Sequence, residues 1–348
     1  MLNCGGFLST IHFKKMDSCS ICTDSKFTRY WYGNHLSRIN RSVILFVLIF
    51  PFRPLAFMLR PILKYLFQGT GNSLFFHAFE RMVLGHIFSP FHYIQRCEEC
   101  GYGVYVKNVS KYKLLNYYSS VYSIGKENLR FSIKEYLNDN RALGQFNFIK
   151  EEILGYRSIH SLDIGAAGAN ISLLIRNKLK NESKVKIDVI EAGSSYTKYY
   201  KQANINCIAR YFPASLTRTY DLVIGSHWLE HVGELDSAMT ALTKVTKKGG
   251  LILIEVPNCN DEYFDCDGLD KPHIHFFTEN SLIRLFKKYG FKLLRIGQYG
   301  FTNKECEAFQ KDRSLLSSAT IENNYYSDIH NKEIKGGHHI RSLFKYLG

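Results

Sequence analysis

The chain has 348 residues, 45% hydrophobic and 22% charged, a balance that excludes global disorder and leaves room for one large core and a smaller second unit. Its formal charge of +14 is lopsided: residues 1–150 hold 19 Lys and Arg against 8 Asp and Glu, and the remainder 26 against 23. Phosphate-bearing partners, anionic lipid or nucleic acid, are therefore expected at the N-terminal part, and a chain this long does not need its nine cysteines as disulfide staples.

In chain order, Met1–Met16 lacks a basic start followed by an apolar run, so no secretory signal is expected, and residues 1–15 read as untranslated leader ahead of Met16. Cys19-Ser20-Ile21-Cys22 follows, and Cys97-Glu98-Glu99-Cys100-Gly101 repeats the spacing. Two such pairs in an intracellular protein point to metal rather than to disulfides. Between them lies an apolar, aromatic and basic stretch, about residues 34–96, with Pro51, Pro54, Pro61 and Pro90. Its longest unbroken apolar run, Val43 to Phe52, is about half of the roughly 20 residues a spanning helix needs, and the prolines break longer helices. Seven Lys and Arg against the single acid Glu80 between Arg38 and Arg96 predict short helices lying on a membrane surface, with arginines reaching phosphates. The alternative is a helical lid packed on the core.

A tyrosine-rich stretch, Tyr112 to Tyr122, leads to an amphipathic helical pattern at Tyr136–Leu154. Strands are then expected at Ile159–Ile164, Val185–Ile190, Ile205–Ala209, Asp221–Ile224, Leu251–Val256 and Phe291–Ile296. Helices are expected at Ile171–Leu179, Tyr196–Ala203, Leu235–Val245 and from a Thr278 cap to Gly290. Alternation of this kind predicts an α/β fold, a doubly wound parallel sheet with a smaller cysteine-rich and helical N-terminal region. The expected division is 1–125, 126–300 and a polar tail at 301–348.

Asp163-Ile164-Gly165-Ala166-Ala167-Gly168 ends the first of those strands in a tight turn before a helix, where small residues let the backbone approach a ligand. Glu191 ends the second strand, where a carboxylate can accept both hydroxyls of a ribose. Together with Val189-Ile190-Glu191, the Tyr220–Val232 run containing Leu229-Glu230-His231, the Lys247–Asn258 run and His273-Ile274-His275-Phe276-Phe277-Thr278, the turn resembles the class I S-adenosylmethionine-dependent methyltransferases. The closing segment is similar to a branch acting on bacterial saccharides and natural products. The resemblance implies that Asp163, Gly165, Ala166, Ala167 and Gly168 hold the methionine part of the cofactor, Glu191 and its neighbour Ala192 the ribose side, and His227 the pocket near the methyl. The acidic residue often found after the third strand is absent, since that position reads Arg210-Tyr211-Phe212-Pro213. A nicotinamide dehydrogenase would need a glycine at Ala167.

Methylation of a hydroxyl requires that the oxygen be positioned and relieved of a proton, work suited to histidine; His227, His273 and His275 are the candidates. Cys19, Cys22, Cys97 and Cys100 resemble the two knuckles of a zinc ribbon and would hold one structural zinc, the alternative being four unliganded thiols. The expected enzyme is thus an O-methyltransferase of a saccharide or lipid-linked saccharide, cytoplasmic and peripheral on the inner face of the membrane. A zinc-bearing RNA-binding or RNA-modifying protein and a catalytically silent scaffold are the alternatives. Basic charge interleaved with long apolar runs suits a lipid surface better than an RNA groove.

Overall fold

A computed structural model describes residues 17–31, 93–106, 111–116, 118–119, 136–265, 273–311 and 329–348. Most of the expected surface segment Arg38–Arg96 lies outside the described residues. Among the described residues, no helix is long and apolar enough to cross a membrane.

The core is a seven-stranded sheet. Helix α1 (Asn140–Ile153) precedes strands β4 (Ser158–Ile164), β5 (Lys184–Ile190), β6 (Asn206–Ala209), β7 (Tyr220–Ser226) and β8 (Thr246–Pro257). Helices α2 (Asn170–Lys178), α3 (Thr197–Gln202) and α4 (Leu235–Val245) make the crossovers. Helix α5 (Glu279–Lys288) leads into β10 (Phe291–Thr302), α6 (Asn303–Lys311) and β11 (Gly337–Tyr346). The spatial order is β10-β11-β8-β7-β4-β5-β6, with β4 to β8 parallel and β11 antiparallel to both its neighbours, β8 and β10. The fold is therefore the expected Rossmann-like α/β sheet. Chain order reverses between β4 and β7, the switch point beside which such sheets bind ligands at their carboxyl ends.

Local sequence explains most of this. Leu251–Val256 is apolar except for Glu255 and is buried on both faces, as a central strand requires. Helix α1 starts where Asp139 accepts from Ala142 N, and α5 where Thr278 and Ser281 form a reciprocal cap. The segment expected as a polar tail instead supplies α6 and β11, the latter inserted between β8 and β10. Its polar residues are buried and paired, Arg341 on Glu255 and Ser342 on the Ile254 carbonyl, so its composition does not announce a strand.

The second sheet, β1-β2-β3-β9, comprises β1 (Phe27–Trp31), β2 (Tyr93–Cys97), β3 (Gly103–Tyr105) and the two-residue β9 (His275–Phe276). Strand β9 comes from the loop that follows β8. The cysteine region and the core thus share one sheet, where the sequence suggested a boundary near residue 125.

Candidate functional site

At the end of β4 the chain turns at Gly165, whose N–H donates to the Ile190 carbonyl at 2.8 Å. Its φ of +70° suits only glycine without strain, and a Cβ there would lie 3.2 Å from Trp228 Cβ. Ala167 and Ala169 also adopt positive φ, at a cost of about 1 kcal/mol or more each. The turn is braced, since Tyr200 donates its hydroxyl to the Ala167 carbonyl at 2.6 Å and Tyr199 to that of Gly168 at 2.8 Å. Ala166 is half-buried against the core. Glu191 spans the gap between strands, accepting from Ala167 N at 2.9 Å and from Gly193 N at 2.7 Å across the adjoining Ala192. Asp163 is 2% exposed; burial and then the nearby Glu191 charge push its carboxyl up to about 7, although Ser172 donates to it at 2.7 Å. These residues fit a ligand with a cationic amino acid end and a ribose: a cradle closed to any Cβ at Gly165, with one carboxylate at each end.

His227 stands opposite, just past β7, with φ +52° and its N–H on the Glu255 carbonyl at 2.7 Å. Its Nδ1 lies 3.2 Å from Glu230 Oε1 and its Nε2 3.1 Å from His339 Nδ1. Burial, with Arg141 adding to it, holds His227 well below the usual imidazole range. Burial alone would raise Glu255, but Arg341 at 2.6 Å and Arg141 at 2.5 Å hold its carboxyl well below the carboxylate range. Arg141 and Gln145 of α1 also donate to Ser226 Oγ, both at 2.8 Å, which fastens α1 over this end of the sheet.

The other two expected histidines occupy different places. His275 is buried with both ring nitrogens used: Nε2 donates to the Val232 carbonyl at 2.9 Å, so Nδ1 accepts from Tyr102 OH at 2.6 Å. That pairing makes it a link between the two sheets, with no nitrogen left for an acceptor's proton. His273 is buried beside His231, ring centroids 5.0 Å apart, with Tyr263 OH 3.3 Å from its Nδ1. Glu230, 1% exposed, lies between His227 and His231, the latter at 3.6 Å.

The four cysteines converge despite the long gap between pairs. Antiparallel pairing of β1 with β2 sets Phe27 opposite Cys97 and closes the excursion. Cys19 Sγ is 3.6 Å from Cys100 Sγ, Cys22 Sγ is 3.5 Å from Cys97 Sγ, and all four sulfurs lie within 4.8 Å. A tetrahedral zinc with Zn–S of about 2.3 Å needs sulfur–sulfur edges of about 3.8 Å. The Cys100 thiol, against burial, pushes Cys19 down to about 5, while burial pushes Cys97 up to about 11. One thiolate is thus favoured and its neighbours resist ionising, which a dication would reverse.

This cluster is fastened to the loop carrying His273 and His275. Thr278 Oγ1 donates to the Cys100 carbonyl at 2.7 Å, and a Cβ at Gly101 (φ +75°) would lie 2.7 Å from Thr278 Cγ2. Strand β3 pairs with β9 through Gly103–Phe276 and Val104–His275.

Sequence reasoning missed Glu230, Glu255, Arg141, Arg341, His339 and Tyr102. Glu255 had a signal, a lone charge inside an apolar run. Arg341 and His339 did not, because their partners are distant in sequence.

Residues 141–296 match a family model described as a methyltransferase domain. No curated protein matches the chain. Among solved structures, an S-adenosylmethionine-dependent methyltransferase from Clostridium acetobutylicum is 10% identical with a TM-score of 0.41, covering 65% of this chain and 96% of that one. A SAM-dependent methyltransferase from Thermotoga maritima is 13% identical with a TM-score of 0.42, covering 62% and 94%. A coclaurine N-methyltransferase bound to N-methylheliamine and SAH is 12% identical with a TM-score of 0.42, covering 68% and 89%.

Proposed function

We propose that this methyltransferase domain transfers the methyl group of S-adenosylmethionine to a hydroxyl of a saccharide or lipid-linked saccharide, with one structural zinc in the four-cysteine cluster. The observation that carries the cofactor reading is the Gly165–Gly168 turn joined to Glu191 beside the switch point of the sheet. The turn and Asp163 hold the amino acid end, and Glu191 accepts from the ribose. When bound, the cofactor supplies a sulfonium methyl open to in-line displacement. The cofactor would give up that methyl group to the acceptor oxygen, and an imidazole of this chain would take the hydroxyl proton. For His275, tied to Tyr102 and Val232, and equally for His227, between Glu230 and His339, taking that proton requires a ring nitrogen to give up its partner; His273 is the third candidate.

The acceptor class is supported by the charge of the N-terminal half. Basic residues interleaved with apolar runs suit a cytoplasmic enzyme lying on the inner membrane face, where a lipid-carried sugar would be presented. Calorimetry on the purified chain is expected to give S-adenosylmethionine binding that Glu191→Ala weakens by about 1–3 kcal/mol, since ribose hydroxyls lose their acceptor. Equal binding by the variant would overturn the ribose assignment, and no binding by the wild type the cofactor assignment.

A further inference from the structure

We infer that Thr278 and Tyr102 are positioning residues that tie the order of the loop at residues 273–278 to occupancy of the four-cysteine cluster by its ion, with the cofactor turn outside that linkage. The inference rests on the zinc reading of the cluster; its meaning for the acceptor rests on the methyltransferase reading as well.

The smaller sheet is weak in itself. Its strands are five, five, three and two residues long, and pairings this short are marginal without further support. The cysteine cluster closes the same hairpins. Cys97 N donates to the Tyr102 carbonyl at 2.8 Å and Gly101 N to that of Cys97 at 3.0 Å, so the second cysteine pair is the turn between β2 and β3. Glu98 N donates to the Lys26 carbonyl at 3.1 Å and joins that turn to the segment after the first pair. Sulfurs 81 and 75 residues apart in sequence meet here. An ion bound to all four adds its binding free energy to the folding of what the turns hold.

What they hold is the loop. Tyr102 donates its hydroxyl to His275 Nδ1 at 2.6 Å, Gly103 and Val104 pair with Phe276 and His275, and Tyr105 N donates to the Ile274 carbonyl at 2.9 Å. Thr278 closes the far end. Its hydroxyl donates to the Cys100 carbonyl at 2.7 Å and accepts from Ser281 N at 3.2 Å, so one oxygen both meets the cysteine turn and caps α5. Glu99 adds contacts to Arg284 at 2.8 Å and Asn280 at 3.4 Å, but these are exposed and contribute little.

The loop in turn meets the segment after β7, where Ile274 N donates to the Glu230 carbonyl at 2.8 Å and His275 Nε2 to that of Val232 at 2.9 Å. It is therefore a bridge between the cysteine turn and the end of β7. Helix α5 is held differently: Leu282, Leu285 and Phe286 are buried in the main core, so the helix outlasts a loss of the cluster. The Gly165–Gly168 turn is braced elsewhere, by Tyr199, Tyr200 and Glu191. Loosening that follows departure of the ion thus falls first on β3 and on residues 273–278.

The test is amide hydrogen exchange, read by mass spectrometry on the full zinc-loaded chain and on the same chain stripped with EDTA under a reducing phosphine. Zinc content is measured on every sample. Stripping is expected to speed exchange at residues 273–278 at least about tenfold and at residues 163–191 less than about twofold. Two variants kept in excess zinc are expected to speed the loop with the ion still bound. Thr278→Asp can still accept from Ser281 N but has no proton for the Cys100 carbonyl, and Tyr102→Phe loses only the donor to His275. Thr278→Ser keeps both contacts and should exchange as the wild type does. A loop that exchanges alike with and without zinc overturns the inference, as does uniform acceleration that includes residues 163–191. Wild-type exchange in either zinc-loaded variant overturns that residue's role. Should the stripped chain precipitate, these variants decide. A chain that takes up no zinc overturns the cluster reading and this inference together, whereas zinc bound beside an unmoved loop overturns this inference alone. Absence of S-adenosylmethionine binding would remove the acceptor meaning and leave the linkage standing.

Discussion

Asp163 carries the clearest pH signature. Its carboxyl titrates near 3.8 when free and is pushed up to about 7 in the fold, first by burial and then by the charge on Glu191. A raised carboxyl favours the folded state in its protonated form. The contribution to stability, about 4 kcal/mol, is complete below pH 3.8 and is lost as pH rises through 7. A cationic ligand at this end of the turn favours the ionised form, so its binding should release a proton near neutrality. S-adenosylmethionine affinity is therefore expected to rise between about pH 6 and pH 8, and calorimetry in buffers of different ionisation enthalpy should detect the released proton. Asp163→Asn should abolish both effects. Arg341 supports a different prediction. It is fully buried on Glu255, and Arg341→Met leaves part of a buried charge unmatched, at a cost of about 3–5 kcal/mol in urea denaturation. Replacing Glu255 and Arg341 together by apolar residues should cost less than the single change, because the fully buried pair goes as a unit and only Arg141, a third exposed, loses its carboxylate.

Among the elements, those that fold on local signals were legible. The apolar run Leu251–Val256, the Thr278 cap and the glycine turn at 165 each bear their cause within a few residues. Strand β9 bears none: two residues, His275 and Phe276, form a strand because β3 lies beside them. The cysteine spacing showed that the pairs should meet, but not that they meet against the loop carrying His273. That contact gives Tyr102 a positioning role. In Tyr102→Phe the buried Nδ1 of His275 loses its donor, at a cost of about 1–3 kcal/mol in local order. We expect a raised KM for the acceptor with S-adenosylmethionine affinity unchanged. Equal loss of both would place Tyr102 in general stability instead.

On the scale of the whole molecule, the parallel strands and the edge strand β10 could be read from the chain, whereas the antiparallel β11 inserted between β10 and β8 could not. Strand β11 does not read as a buried strand because its Arg341 is there to meet Glu255, across 86 residues, and no local window contains both. The candidate site divides in the same way. The glycine turn and Glu191 are 24 residues apart in one strand–helix–strand unit and were legible, while the cluster around His227 and Glu255 draws on α1, β8 and β11 at once.

The β1–β2 ladder has a mechanical consequence. Trp31 and Tyr93, which residues 32–92 join in sequence, are paired directly across the ladder. Tension on that segment would pull both strands apart from the same end and load one rung at a time, from Trp31–Tyr93 toward Phe27–Cys97. Peeling of this kind meets little resistance until it reaches Cys97, where cross-linking of the sulfurs by an ion would arrest it. Strain entering there would stop at the cysteines, and the cofactor turn, anchored separately on β4 and β5, would not register it.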